Sequence, residues 1–563
     1  MVNVKNLFGM AVMATALVGC SSSDDLTPNG NEGNQTGAAY ASFRINLPTT
    51  SGTRADDPTP GTPSFDEGTA KEYEVKNGTI LIFDKDGKYV TSAQLGTMNP
   101  WTPVKTDGVT TAAITTVQLS GVKVGGNYQA LVLLNNDVDA TTSKVTLPAT
   151  GTPYATWSAK ASNVNAEKYA STDGIFMANA PMYTGTTTEP TTLVPIANVC
   201  ASREEAQAKV ATTVYVERGL AKVTMQNFTD GGYTVAEGTY KNDKVEIKNW
   251  QLDVTNKSTF PVHQTGDLST GFTAIWSTPR FYDGGNQSFK RVYWGVDPNY
   301  SGATLQNLEA CKKAFTMIGN NDIKGKTGND HPQYCLENTF DLSNMMQGQT
   351  TRVVFKAVYT PKALEGTTEK TFYKIGNNTA IWKEADLKQQ IKTVALNAMK
   401  ITDAAEQAKY VVKLDATENN ISGVAGQHLI KAENITYTGD AADDKVSPTV
   451  VNTINEKLGL SEAAGIATYL DGVTYYIARI KHFNELTPWT AGEGYGTKND
   501  KYLGRYGVLR NNWYDLSVTS ISGLGYPEVP EVKPTVPDDE NEQYINVEVK
   551  ILSWAKRSQS IVL

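Results

Sequence analysis

Histidine is scarce in this chain: four in 563 residues, at His263, His331, His428 and His482. None falls in an HxxH, HExxH or Cys-His spacing, so no metal-site motif is present. Cysteine is as rare, at Cys20, Cys200, Cys311 and Cys335. Such a count excludes a disulfide framework and leaves only a Cys311–Cys335 bridge open. No G-x-S-x-G elbow and no phosphate loop occurs. Asp84-Lys-Asp-Gly87 begins like a calcium loop, but its twelfth position is Leu95 rather than an acid. Gly492-Glu-Gly-Tyr-Gly496 follows no strand-to-helix switch and reads as a loop. Among 59 acids nothing singles out a catalytic pair, and the nine tryptophans are as well placed for cores as for a glycan platform. Positive charge is also short, 51 Lys and Arg for a net −8, which argues against nucleic acid as a partner. The sequence offers no case for an enzyme or a cofactor.

What the chain has is β pattern, and the last twenty residues show it most plainly. Ile545, Val547, Val549 and Ile551 alternate with Asn546, Glu548 and Lys550, the period of a strand with one buried face. The tract before it, 526–543, carries four prolines and six acids and reads as an extended, solvated spacer. A leashed strand can fold back as an ordinary sheet strand or reach into another molecule.

At the other end, Met1–Gly19 reads as a targeting segment: Lys5, then an apolar run from Leu7 to Val18 too short to span a bilayer. It ends Leu17-Val18-Gly19-Cys20, which looks like a bacterial lipobox with Cys20 as the acylated residue, followed by a polar tether. The mature chain is then exported. Ala41-Ser-Phe-Arg-Ile-Asn-Leu47 alternates again, with Ala41, Phe43, Ile45 and Leu47 on one face. It runs into Ser51-Gly-Thr-Arg-Ala-Asp-Asp57, an exposed loop that would suit a trypsin-like protease cutting between Arg54 and Ala55.

Between these ends the chain reads as all-β. At this length two domains of about 200–300 residues are expected. Thr79–Phe83 turns at Asp86-Gly87 into Tyr89-Val90, a hairpin. Tyr128–Leu134, Val214–Met225, Val245–Val254, Arg352–Tyr359, Val473–Ile480 and Trp513–Ile521 read as further strands. The break at Thr229-Asp-Gly-Gly232 sets a domain boundary. Leu387, Ile391 and Val394 mark one amphipathic helix, and 450–458 a second short one.

Several of these stretches resemble the major fimbrial subunit (fimbrillin) family of Bacteroidales-type fimbriae, the short or minor branch in particular. Arg505-Tyr-Gly-Val-Leu-Arg-Asn-Asn-Trp-Tyr-Asp-Leu-Ser-Val-Thr-Ser-Ile-Ser-Gly-Leu-Gly-Tyr-Pro527 is similar to the family's signature over its whole length. Tyr475-Tyr476 with Ile480-Lys481-His482, Thr79–Gly87, Phe176–Asn179, Glu217–Val223 and the Trp554-containing tail also resemble it; 255–350 does so weakly.

The resemblance implies two transthyretin-like β-sandwich domains, export as a lipoprotein, and a surface protease that removes the N-terminal strand after an arginine. A neighbour's C-terminal strand then enters the vacated groove. Carried onto this chain, 1–19 is the signal peptide, 20–54 a propeptide, 55–231 and 232–527 the two sandwiches, and 528–563 the linker and donor strand. Ala41, Phe43, Ile45 and Leu47 would leave; Ile545, Val547, Val549, Ile551 and Trp554 would be donated. The implied partners are other copies of the chain, anchor and tip or accessory subunits, an Arg-specific protease and, before processing, the outer membrane. Apolar burial by one strand does not by itself outweigh the entropy of ordering it, so ladder hydrogen bonds must add to the joint, and durability rests on slow strand release. With a cleavable strand, a leashed strand and no spare domain, the chain reads as a stalk subunit. The rival reading is an uncut, monomeric surface lipoprotein that binds glycans or host proteins.

Overall fold

The computed structural model describes residues 38–48, 68–96, 102–103, 109–137, 144–171, 174–182, 190–265, 292, 294–300, 305–340, 342–414, 421, 426–439, 446–482, 504–538 and 545–553. In the first half, β1 (Ala39–Pro48), β2 (Gly78–Asp84), β3 (Tyr89–Gln94), β4 (Thr102–Pro103), β5 (Val109–Leu119), β6 (Tyr128–Leu134), β7 (Met177–Asn179) and β8 (Thr212–Arg218) lie in the order β3-β2-β6-β7-β8-β1-β5-β4. The β2–β3 hairpin forms where Asp84 Oδ1 accepts from the amides of Asp86 and Lys88, while Gly87 takes the left-handed conformation that the turn requires. Strand β8 serves two neighbours. Its first half pairs parallel with β1 and its end pairs antiparallel with β7, which folds the path into a sandwich. Ile80, Ile82, Val132, Leu134, Val214 and Val216 meet the inward face of β1 across one core. The intervening residues Leu81, Phe83, Leu131 and Leu133 pack the other way, against Trp157, Tyr169 and Phe176. That two-sided burial explains why β2 and β6 read as unbroken apolar runs.

The stretch Val214–Met225, which reads as one strand, is two. The chain breaks at Gly219-Leu220, and β9 (Ala221–Met225) enters a different sheet. This changeover precedes the Gly231-Gly232 turn at which the sequence suggested a boundary. The strands of the second pair of sheets, besides β9, are β10 (Tyr233–Thr234), β11 (Lys244–Asp253), β12 (Gln333–Cys335), β13 (Arg352–Thr360), β14 (Val473–Arg479), β15 (Asn512–Ile521) and β16 (Ile545–Ser553). They form sheets ordered β12-β9-β15-β16 and β10-β11-β13-β14. The two sheets share a core of Val223, Met225, Trp250, Phe355, Tyr476, Tyr514 and Leu516, a second sandwich. In each sandwich the first strand lies parallel to a late one: β1 beside β8, and β9 beside β15. The all-β reading holds, with a few short helices. All described residues belong to one compact unit, Ala38–Leu563. Cys200, Cys311 and Cys335 are buried and free, so the Cys311–Cys335 bridge does not form.

The expectation of no spare domain needs correction. Between the adjacent strands β13 and β14 lies a module with a core of its own. Its two longer helices are α2 (Glu384–Met399) and α3 (Pro448–Lys457), preceded in the chain by the short α1 (Arg203–Ala208) of the first sandwich. Leu387 and Ile391 of α2 and Ile454 of α3 are buried there with Tyr410 and Ile435. Ser447 caps α3 by accepting from the Val450 amide, and Pro448 occupies the first turn, where its missing N–H costs nothing. Both helices were legible in the sequence; their joint core was not.

A buried polar seam joins the start of the described chain after β1 to the second sandwich. Glu72 takes a 2.7 Å ion pair from Lys222 and a 2.7 Å hydrogen bond from the Tyr334 hydroxyl. The Thr69 amide donates to the same carboxylate at 2.6 Å, and Arg218 Nε donates to the Glu72 carbonyl at 2.8 Å. Lys222 in turn lies 3.7 Å above the Trp513 ring. Burial pushes the Glu72 carboxyl up, but Lys222, Tyr334 and Thr69 together outweigh that push, and it titrates below the usual 4.5. A depressed folded-state pKa contributes stability above the unfolded value and loses it as pH falls through the folded one. Glu72→Gln should therefore cost roughly 3–5 kcal/mol at pH 7, since it takes the carboxylate away from a buried ammonium. In urea melts the gap between variant and wild type should narrow below about pH 4.5.

Candidate assembly site

Strand β1 is an interior strand at the edge of sequence. Ala39–Leu47 pairs antiparallel with Thr111–Leu119 of β5, while Phe43–Asn46 pairs parallel with Thr212–Tyr215 of β8. Ala39, Ala41, Phe43, Ile45 and Leu47 are all fully buried. They supply five of the twenty residues of the first core cluster, so the strand is a wall of that core. Its opposite face is partly covered as well. Ser42 Oγ donates to the Ala206 carbonyl of α1 at 2.8 Å, and Tyr40 exchanges backbone hydrogen bonds with Cys200 at 2.9 and 2.8 Å. Arg44 alone is fully outward. The predicted residues Ala41, Phe43, Ile45 and Leu47 are thus brought together. Cys20, Arg54, Ala55 and Trp554 lie outside the described residues. Arg54 follows Pro48, the end of β1, by six positions in sequence.

Taking β1 away would leave a slot with two open backbone edges, β5 and β8, and an apolar floor that includes Val117, Leu119, Val132, Leu134 and Val214. Open edges over an exposed core are a template for another strand of the same period.

The C-terminal strand has that period. In the structure β16 pairs antiparallel with β15 of its own chain, as the edge of the second sandwich. The register sets Ile545, Val547, Val549 and Ile551 opposite Ile521, Val518, Leu516 and Tyr514. One bulge, between Val518 and Ser520, interrupts the ladder.

The segment before it is not the solvated spacer that its composition suggests. Tyr526 exchanges two 2.8 Å backbone hydrogen bonds with Tyr475 of β14. The Val529 amide donates to Asn320 at 2.8 Å, Arg352 donates to the Pro530 carbonyl at 2.9 Å, and the Gln347 amide donates to the Val536 carbonyl at 3.0 Å. Val532 is buried in a cluster with Val254, Leu305 and Phe315. Asp538 is fully buried, accepting from Arg479 Nε at 2.8 Å and from the Thr350 hydroxyl. Prolines lack an amide to satisfy, and the acids at 528 and 531 are partly or fully exposed, so little of this strap's polarity opposes its lying on the body.

Residues 467–560 match the family described as major fimbrial subunit protein type IV, fimbrillin, C-terminal. The match is confined to the C-terminal region. The matched span holds β14, β15, the strap and β16. No curated protein matches the sequence. Among solved structures, a candidate cell adhesion protein from Parabacteroides distasonis is similar at 10% identity and a TM-score of 0.37, covering 92% of this chain and 98% of that one. One from Bacteroides eggerthii gives 10%, 0.34, 93% and 99%. The tip fimbrial protein Mfa3 from Porphyromonas gingivalis, truncated at its C-terminus, gives 11%, 0.28, 92% and 99%.

The burial of β1 sets an expected outcome for the uncut chain. Phe43→Ala should lower its stability by about 3–5 kcal/mol, as removal of a fully buried phenyl does. Arg44→Ala, one residue away, should stay within about 0.5 kcal/mol. Urea melts of the two variants side by side read the difference.

Proposed function

We propose that this chain is a stalk subunit that polymerises by exchanging β1 for the β16 strand of a neighbour. The observation that carries the reading is the position of β1: a terminal strand, paired on both edges, whose inward face forms a wall of the core. In this reading the chain leaves the cell as a lipoprotein acylated at Cys20 and reaches the outer membrane. An Arg-specific surface protease then cuts between Arg54 and Ala55, which frees β1 from everything downstream. The slot opens, and a second copy supplies Ile545, Val547, Val549 and Ile551, with Trp554 beyond them, over the same floor. The backbone edges of β5 and β8 regain their partners, and the joint persists because strand release is slow. Anchor and tip or accessory subunits would end the polymer.

The module between β13 and β14 favours a second reading. A surface lipoprotein that binds glycans or host proteins, including a tip or accessory subunit, would carry an extra folded module and need not polymerise. Protein recovered from cells separates the two readings. A free Ala55 N-terminus and ladders on native gels support the stalk; a lipidated Cys20 on a monomer supports the rival.

Arg54→Ala should leave the chain folded and monomeric, because β1 stays in its slot. Ladders as abundant as wild type from that variant would end the reading. Val547→Asp or Val549→Asp should abolish polymer with little change in the melting temperature of the uncut chain, whereas Glu548→Lys should polymerise. Unfolding of the uncut chain by Val547→Asp would make β16 an obligatory strand of its own sandwich instead.

A further inference from the structure

Three strands of the second sandwich end in a row of charges. Asp253 closes β11, Arg352 opens β13 and Arg479 closes β14, and the register sets Asp253 opposite Arg352 and Arg352 opposite Arg479. Asp538 of the strap completes the row, giving the order acid, base, base, acid. None of the four is more than 4% exposed. Arg352 Nε donates to Asp253 at 2.7 Å and Arg479 Nε to Asp538 at 2.8 Å. Asp538 thus sets a buried carboxylate against the second of two neighbouring buried guanidiniums, and opening the strap would break that buried pair.

We propose that the Arg479–Asp538 pair clasps the strap, Tyr526–Asp538, to the body of the subunit, so that only the residues after Asp538 set how far β16 can reach toward a second copy of this chain. The proposal rests on the strand-exchange reading above for its second half; the clasp itself does not. Seven residue steps separate Asp538 from Ile545, an extended reach of about 23–25 Å. Were the tract free from Tyr526, nineteen steps would allow about 63–68 Å. The clasp thus turns a long leash into a short one. A short leash holds the strand near its target at higher effective concentration and confines the neighbour to a narrow range of positions.

Two measurements test this. The first uses the uncut full-length protein and a glutamate-specific protease, with Glu528 and Glu531 as sites in the strap. Asp538→Asn should speed cleavage there by about tenfold or more, because strap opening no longer breaks the buried pair. Equal rates in a folded variant would overturn the clasp. Should Asp538→Asn fail to fold, the insertions below decide, since they keep the clasp intact. Gly-Gly-Ser-Gly placed after Glu540 should lengthen the subunit repeat or loosen the curvature of polymers in electron micrographs, by at most about 13–14 Å per joint. The same insert after Glu531 should loop out and leave both unchanged. Equal effects from the two inserts would overturn the proposal. If wild-type protein forms no polymer, strand exchange fails as a reading, and strap protection from the protease still decides the clasp.

Discussion

Backbone pairing on both edges of β1 is the constraint on which the first sandwich depends. An edge strand can leave a sheet at the cost of one ladder. An interior strand breaks two, and here it also takes a wall of the core with it. The same strand is joined to the rest only through residues 49–67, upstream of the Glu72 seam. The chain therefore separates covalent attachment from non-covalent hold at one point. In the strand-exchange reading, a cut at that point would change β1 from a covalent part of the fold into a bound ligand of it. From then on its retention is a matter of binding equilibrium and rate.

Beyond the cut, the chain is secured near both of its ends by a buried acid. Glu72 binds Lys222 at the start, and Asp538 binds Arg479 near the finish. In each case a carboxylate from a peripheral segment meets a base on a strand of the second sandwich. Buried pairs of this kind contribute modestly when made and heavily when broken. They suit segments that must not fray when the strands next to them come and go. The Glu72 seam lies downstream of residues 49–67, so in the strand-exchange reading it would stay made after a cut there released β1.

Much of this was legible in the sequence because strands announce themselves by period. The alternation at Ala41–Leu47 and Ile545–Ile551 marks β1 and β16, and the unbroken runs at Thr79–Phe83 and Tyr128–Leu134 mark strands covered on both faces. Val214–Met225 misled because its break is a change of sheet without a change of composition; Gly219 was the only local sign. The strap misled for a different reason. Its prolines and acids average to a solvated tract, while its attachment depends on Val532, Asp538 and backbone carbonyls meeting Arg352, Arg479 and Gln347 from distant strands. Pairings across such separations leave no local trace. Thr69-x-x-Glu72 did carry a signal, the spacing of a helix N-terminus, but nothing local indicates Lys222 as the partner of Glu72. The helices of the module between β13 and β14 were readable one at a time, and their common core was not.

In each sandwich the first strand lies parallel to one made much later, and this has a consequence for the order of folding. Phe43 pairs with Thr212, and Val223 with Tyr514, so each sandwich closes through contacts near 170 and 290 residues apart. Contacts of such high order form late and slowly. Synthesis delivers β1 first and its parallel neighbour β8 near the end of that sandwich, so one edge of an apolar strand waits for its partner while everything between is made. Antiparallel pairing with β5 becomes available sooner and gives β1 a provisional partner. The first sandwich is then shut by β8, which arrives alongside a strand already in place.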